Sequence, residues 1–222
     1  MGMIKFKSPA LPLPRELYDR QYFDQLLRVL TIYFNQLDST TPLQNDYYIG
    51  DGWGLKNPHI AASDSTDQRT TNNTATVVNW NTLDSGYEWT LNAPGSATAE
   101  RPGVYKITYS LQFVNTANAI HYVDVWMQVN GSNVANSTTR FFVPARKSSG
   151  AGEEGYVCAY SEVTFVVDAG DEIELYWATD KANVVSPAAD GVYMFHDAAS
   201  ASPYARPAIP SAIGSITFIS AS

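Results

Sequence analysis

Alternation of apolar and polar residues along the second half of the chain is the feature that most restricts its fold. Tyr105, Ile107, Tyr109, Leu111 and Phe113 alternate with Lys106, Thr108, Ser110 and Gln112. Val123, Val125, Met127 and Val129 alternate with Asp124, Trp126 and Gln128. Val163, Phe165 and Val167 follow the same rule, as do Ile173, Leu175 and Trp177. Successive side chains of a strand point to opposite faces, so a period of two marks a strand with one face buried and one open. Asn130-Gly131 and Asp168-Ala169-Gly170-Asp171 punctuate these runs. The first is a strong hairpin signal, because both of its positions take positive φ. Residues 76–80, 87–91, 140–143 and 216–219 add further strands. Eight or more short antiparallel strands with turns between them predict a β-sandwich or jelly roll over residues 75–222.

The front of the chain is different. Residues 1–14 end in Pro9-Ala10-Leu11-Pro12-Leu13-Pro14. Alternating Pro and Leu disfavours helix and favours an extended arm. Leu11, Pro12, Leu13 and Pro14 cannot bury themselves in such an arm, so they are candidates for contact with another protein; a disordered leader is the equal alternative. Residues 15–38 predict a helix: Pro14 suits its start, Glu16 and Asp19 suit its dipole, and no Gly or Pro interrupts it. Phe23, Leu26, Leu30, Tyr33 and Leu37 follow the three-four spacing of a coiled-coil seam, widened by Leu27 and Phe34. Two heptads do not hold together alone. The helix therefore needs a partner, either its own β-domain or copies of itself. Residues 39–74 open with Asp38-Ser39-Thr40-Thr41-Pro42 and run through Gly50-Asp51-Gly52-Trp53-Gly54 into a Ser/Thr/Asn tract, which predicts a connector with at most a short strand near Tyr47-Tyr48-Ile49. Its aspartates lack the spacing and the closing Glu of an EF-hand.

Charge narrows the function. Only 16% of the residues are charged, and the net charge is -8. Phosphate recognition needs a field of Lys and Arg, and anionic membranes repel a negative chain, so neither nucleic acid nor membrane is an expected partner. The nearest basic cluster, Arg140, Arg146 and Lys147, brackets an apolar run and is expected to be solvated. The single cysteine, Cys158, sits in Tyr156-Val157-Cys158-Ala159-Tyr160 and is expected to be a small buried hydrophobe. The start of the chain lacks the apolar run of a signal peptide, so synthesis without export is expected.

Catalytic and metal motifs are missing from the sequence: no nucleophile elbow, no His-Glu-x-x-His, no P-loop, no paired cysteines. No cofactor is expected. His59, His121 and His196 are isolated. Glu153-Glu154, Asp171-Glu172 and Glu174 offer carboxylate pairs of the kind a glycosidase uses, but they fall at turns or on an outward strand face. Trp126 and Tyr176 are more informative, since each stands on the polar face of its strand. An aromatic there is covered by a neighbouring subunit or stacks on a sugar ring.

The β-region resembles the C1q/TNF family. Pro102-Gly103-Val104-Tyr105 is similar to the family's Pro-Gly-x-Tyr strand. Residues 123–131 resemble its next strand and Asn-Gly turn, 163–177 a strand, Gly-Asp turn and strand, and 216–219 the closing strand. The resemblance implies a non-enzymatic jelly-roll trimer with aromatics along its axis and ligands on its outer faces. The front end, through Ser8 to Pro14, Tyr18-Asp19-Arg20-Gln21-Tyr22-Phe23 and Tyr33-Phe34-Asn35-Gln36-Leu37, resembles the start of small structural proteins of tailed phages. Together they imply a homotrimeric fibre or decoration protein of a virion. The arm and helix would join other virion proteins of capsid or tail, and the β-head would stabilise the particle or meet a host-surface glycan. Phe23, Leu26, Leu30, Tyr33, Leu37, Trp126 and Tyr176 are the expected trimer contacts. A free-standing lectin-like adhesin is the alternative, with a polysaccharide depolymerase behind it.

Overall fold

The computed structural model describes residues 20–40, 57–92, 95–148, 153–185 and 188–221. The chain divides into two compact units, Met1–Lys56 and Asn57–Ser222. In the first, α1 (Arg20–Thr40) is a helix of 21 residues. It runs past the stop expected at residue 38. Residues 1–19, with Leu11, Pro12, Leu13 and Pro14, lie outside the described residues, as do Tyr47-Tyr48-Ile49.

The second unit is all β. In chain order its strands are β1 (His59–Asp64), β2 (Thr76–Val77), β3 (Thr82–Tyr87), β4 (Trp89–Asn92), β5 (Ser96–Ala99), β6 (Gly103–Asn115), β7 (His121–Val129) and β8 (Ser132–Asn133). There follow β9 (Thr139–Val143), β10 (Gly155–Val167), β11 (Glu172–Thr179), β12 (Val184–Val185), β13 (Ala188–Ala189), β14 (Val192–Met194) and β15 (Ala212–Ser220). One sheet has the order β10-β6-β15-β1-β3, with β14 also on β6. The other has the order β4-β5-β11-β7-β8, with β2 on β11 and β9 on β7. β12 and β13 form a separate pair. The chain crosses between the sheets from β5 to β6, β6 to β7, β9 to β10 and β10 to β11, and the closing strand β15 lies between β6 and β1, which is the crossing connectivity of a jelly roll.

The alternation expected from sequence is the packing seen. Tyr105, Ile107, Tyr109, Leu111 and Phe113 of β6 point inward and are at most 4% exposed. They meet Val123, Val125 and Met127 of β7 and Ile173, Leu175 and Trp177 of β11. Trp89 sits edge-on to Tyr105 at 5.1 Å, and Phe113 packs on Trp177 at 5.5 Å. Asn130 and Gly131 have φ of 50° and 74°, so the hairpin between β7 and β8 has the backbone that Asn-Gly favours. Gly170 makes the turn before β11 with φ of 90°.

The connector expected over residues 39–74 needs correcting. β1 lies within it and is an interior strand, paired with β15 on one side and β3 on the other. The β-unit therefore begins near residue 57, not 75. The inward set of β1 is Ile60, Ala62 and Asp64, so an acid and a small residue stand where apolar bulk would have signalled a strand. Asp64 is 1% exposed, and its carboxylate accepts bonds from the Thr66 N–H (2.7 Å) and hydroxyl (2.5 Å). Those bonds make burial of a carboxylate tolerable.

Candidate functional site

With the inner faces spent on the core, function falls to the two outer faces. On the first sheet, Tyr156, Cys158, Tyr160 and Val166 of β10 point outward and are exposed. Cys158 is thus not the buried hydrophobe its apolar neighbours suggested. Val157 and Ala159 take the inward places in that stretch, so Cys158 goes out. Tyr160 pairs with Ser110, which pairs with Ile213 of β15. Tyr160 and Ile213, 59% and 46% exposed, therefore stand on either side of one small serine. The Ser110 hydroxyl also lies 3.1 Å from the Cys158 sulfur. Lys106 and Glu162, 3.4 Å apart, add a charge pair to this face. At one end Tyr156 and Tyr193 flank Val114 in register and leave it 1% exposed. Phe195 meets Tyr156 edge-on at 5.6 Å. Burial and the nearby Glu154 charge push the Tyr156 phenol up from its ordinary value.

The second sheet's outer face has a different chemistry. Tyr176 stands directly opposite Trp126. Their rings stack 5.9 Å apart with 25° between planes. The Trp126 indole N–H donates to Asn133 Oδ1 at 2.9 Å, and the Gln128 amide donates to the same oxygen at 2.9 Å. Arg140 holds Asp124 in a two-pronged pair with both bonds at 2.7 Å, and its guanidinium lies 3.9 Å from the centre of the Tyr122 ring. The Asp124 carboxylate raises the Arg140 pKa above its ordinary value. Burial raises the Tyr176 phenol, and the Glu174 carboxylate adds to the effect.

A third group closes the end of this sheet. His121 Nδ1 lies 2.9 Å from Asp180 Oδ2, and the Tyr122 N–H donates to the other oxygen at 3.0 Å. Burial works against the Asp180 charge, but the imidazole and the backbone N–H outweigh it and hold the carboxyl below its usual range. Glu154, Asp171 and Glu172 are each held by hydrogen bonds. Asp171 accepts from the Asp168 N–H (2.8 Å) and the Asn130 amide (2.7 Å), the Ser96 hydroxyl donates to Glu172, and the Tyr156 hydroxyl donates to Glu154 (3.2 Å). Among the described residues no group of three or more His, Cys, Asp or Glu is placed to hold a metal ion, and no helix is long and apolar enough to cross a membrane.

The expected contacts thus divide. Trp126 and Tyr176 come together and partly cover one another. Phe23, Leu26, Leu30 and Tyr33 lie on α1, Phe23 exposed and the other three half-buried. Leu37 is helical, and its side chain lies outside the described residues. Leu27 and Phe34, beside the seam, are 60% and 58% exposed. Sequence reasoning missed Tyr156, Tyr160 and Ile213. The only signal was a pair of tyrosines four residues apart, Tyr156 and Tyr160, in a run whose two faces are both apolar.

No protein-family model matches the chain, and no curated protein matches it in sequence. Among solved structures it is similar to the globular domain of zebrafish complement 1qA protein, at 12% identity and a TM-score of 0.44 over 75% of this chain and 100% of that one. It is also similar to murine APRIL, at 15% identity and a TM-score of 0.43 over 73% of this chain and 100% of that one. Both likenesses concern the fold alone.

Proposed function

We propose that the protein is a homotrimeric structural component of a virion, a fibre or decoration protein without catalytic activity, whose arm and helix hold it to the particle and whose β-head projects. The outer face of the first sheet carries the self-association part of this reading. Tyr156, Tyr160, Val166 and Ile213 are exposed there among small hydroxyl residues and one charge pair, Lys106–Glu162, and burying the four against a second copy removes apolar area from water. The second sheet's outer face is poorer ground for a subunit contact, because Asp124, Arg140 and Glu174 would have to be desolvated for less exposed apolar area: Trp126 and Tyr176 are only half-exposed. This moves the expected β-contacts from Trp126 and Tyr176 to the other sheet. The helix supports three copies: Leu27 and Phe34 beside the seam make a stripe wider than a two-stranded coiled coil covers. The particle assignment rests on the front end, whose sequence resembles the start of small structural proteins of tailed phages.

Cys158 makes the test direct, since it is the only cysteine and lies within the proposed interface. The expected protein sediments at three times the 24.4 kDa chain mass. Its thiol stays unreactive to maleimide until the trimer is dissociated. A monomer with a freely labelled thiol refutes self-association. Leu11→Asp with Leu13→Asp is expected to release intact trimers from particles, and trimers that remain bound refute the role of the arm.

A further inference from the structure

We infer that the Trp126–Tyr176 pair is the aromatic part of a binding site for a neutral saccharide. The pair lies on the outer face of the second sheet, fixed across β7 and β11, and each ring has only two side-chain torsions to order. Sugar rings present C–H faces that pack on aromatic rings, and they carry hydroxyls that need donors and acceptors at the edge. Those edge groups are present: Glu174 and Gln128 stand opposite one another in the adjoining row, and Asn133 pairs with Gln128 on the far side. Asn133 also holds the Trp126 indole at 2.9 Å and so fixes the ring.

Charge selects the ligand. Arg140 is committed to Asp124 by two 2.7 Å bonds, so its charge is balanced. Glu174 and the net charge of -8 leave the surroundings negative. A sulfated or sialylated sugar is repelled, while a neutral one has nothing to oppose it. A saccharide also suits this rim better than a protein surface does, since its hydroxyls replace the water around Glu174 and the Asp124–Arg140 pair instead of stripping it. Single sites of this kind bind weakly, and three on one trimer gain by avidity. The host-surface use of the site rests on the proposed projecting head, whereas the site itself does not.

The intact protein is titrated with neutral oligosaccharides of glucose, galactose, mannose and N-acetylglucosamine, following tryptophan fluorescence and saturation-transfer NMR, with heparin oligosaccharides as the charged control. The expected result is saturable binding of at least one neutral probe and none of heparin. Binding weakens about tenfold or more in Trp126→Ala and in Tyr176→Ala, and sedimentation is unchanged in both variants. No saturable binding of any neutral probe overturns the inference. So do equal binding by the variants and subunit dissociation in Trp126→Ala, the last of which would make the face a protein contact. A trimer with a protected Cys158 that binds no sugar refutes this site alone. A monomer that binds sugar refutes self-association and leaves the site standing.

Discussion

Tyr160→Ala tests the proposed interface most sharply, because the residue is outward and contributes little to the fold of its own subunit. Tyr160 is 59% exposed. On an aromatic side chain of roughly 200 Å² that leaves about 120 Å² to bury, or about 3 kcal/mol per subunit at about 25 cal/mol per Å². Ordering the side chain takes back part of this, leaving about 2 kcal/mol per subunit. Three copies give about 6 kcal/mol, which is about 10⁴-fold in the trimer dissociation constant. Monomer concentration enters that constant as a cube and trimer concentration to the first power. The midpoint concentration therefore moves as its square root, by about 100-fold. Sedimentation velocity over a dilution series reads this midpoint. Urea unfolding at a dilution where both proteins are monomeric should differ by less than about 1 kcal/mol, the span of strand propensity. A midpoint shift under about threefold, with the monomer equally stable, refutes the placement of Tyr160 in the interface.

Two further predictions follow from the head. Leu111 is fully buried at the centre of β6, so Leu111→Ala is expected to destabilise the β-unit by about 2–5 kcal/mol; a loss within about 0.5 kcal/mol in chemical denaturation would contradict the packing described. Asp180 has a folded pKa below its ordinary value of 3.8, so the folded protein binds fewer protons at this site than the unfolded chain does. Its contribution is present above pH of about 4 and is lost as pH falls through the folded value. Asp180→Asn is expected to lower stability near neutral pH and flatten the acid decline, and stability–pH curves that stay parallel down to about pH 2 would count against the His121–Asp180 pairing.

Much of the fold was legible because period two is a local property. The inward sets of β6, β7 and β11 follow from alternation alone, and the turn at Asn130-Gly131 follows from the φ its residues accept. β1 escaped because one of its inward residues is Asp64, whose burial depends on bonds to Thr66 that no spacing rule reports. The outer faces were only half legible. Trp126 and Tyr176 stand out as aromatics on polar faces, but that they meet is a matter of register between β7 and β11. Tyr160 and Ile213 gave less warning still, since they lie on distant strands that only β6 brings together.

What this chain's sequence determined by itself, then, is the strands, which way most of their side chains point, and a helix with an apolar stripe. Each depends on residues a few positions apart, where backbone geometry decides. Which strands become neighbours, and therefore which exposed aromatics share a face, was decided by tertiary structure. Pairing across long stretches of chain is chosen by how the inner faces fill the space between the sheets, and the outer faces inherit whatever order that packing imposes.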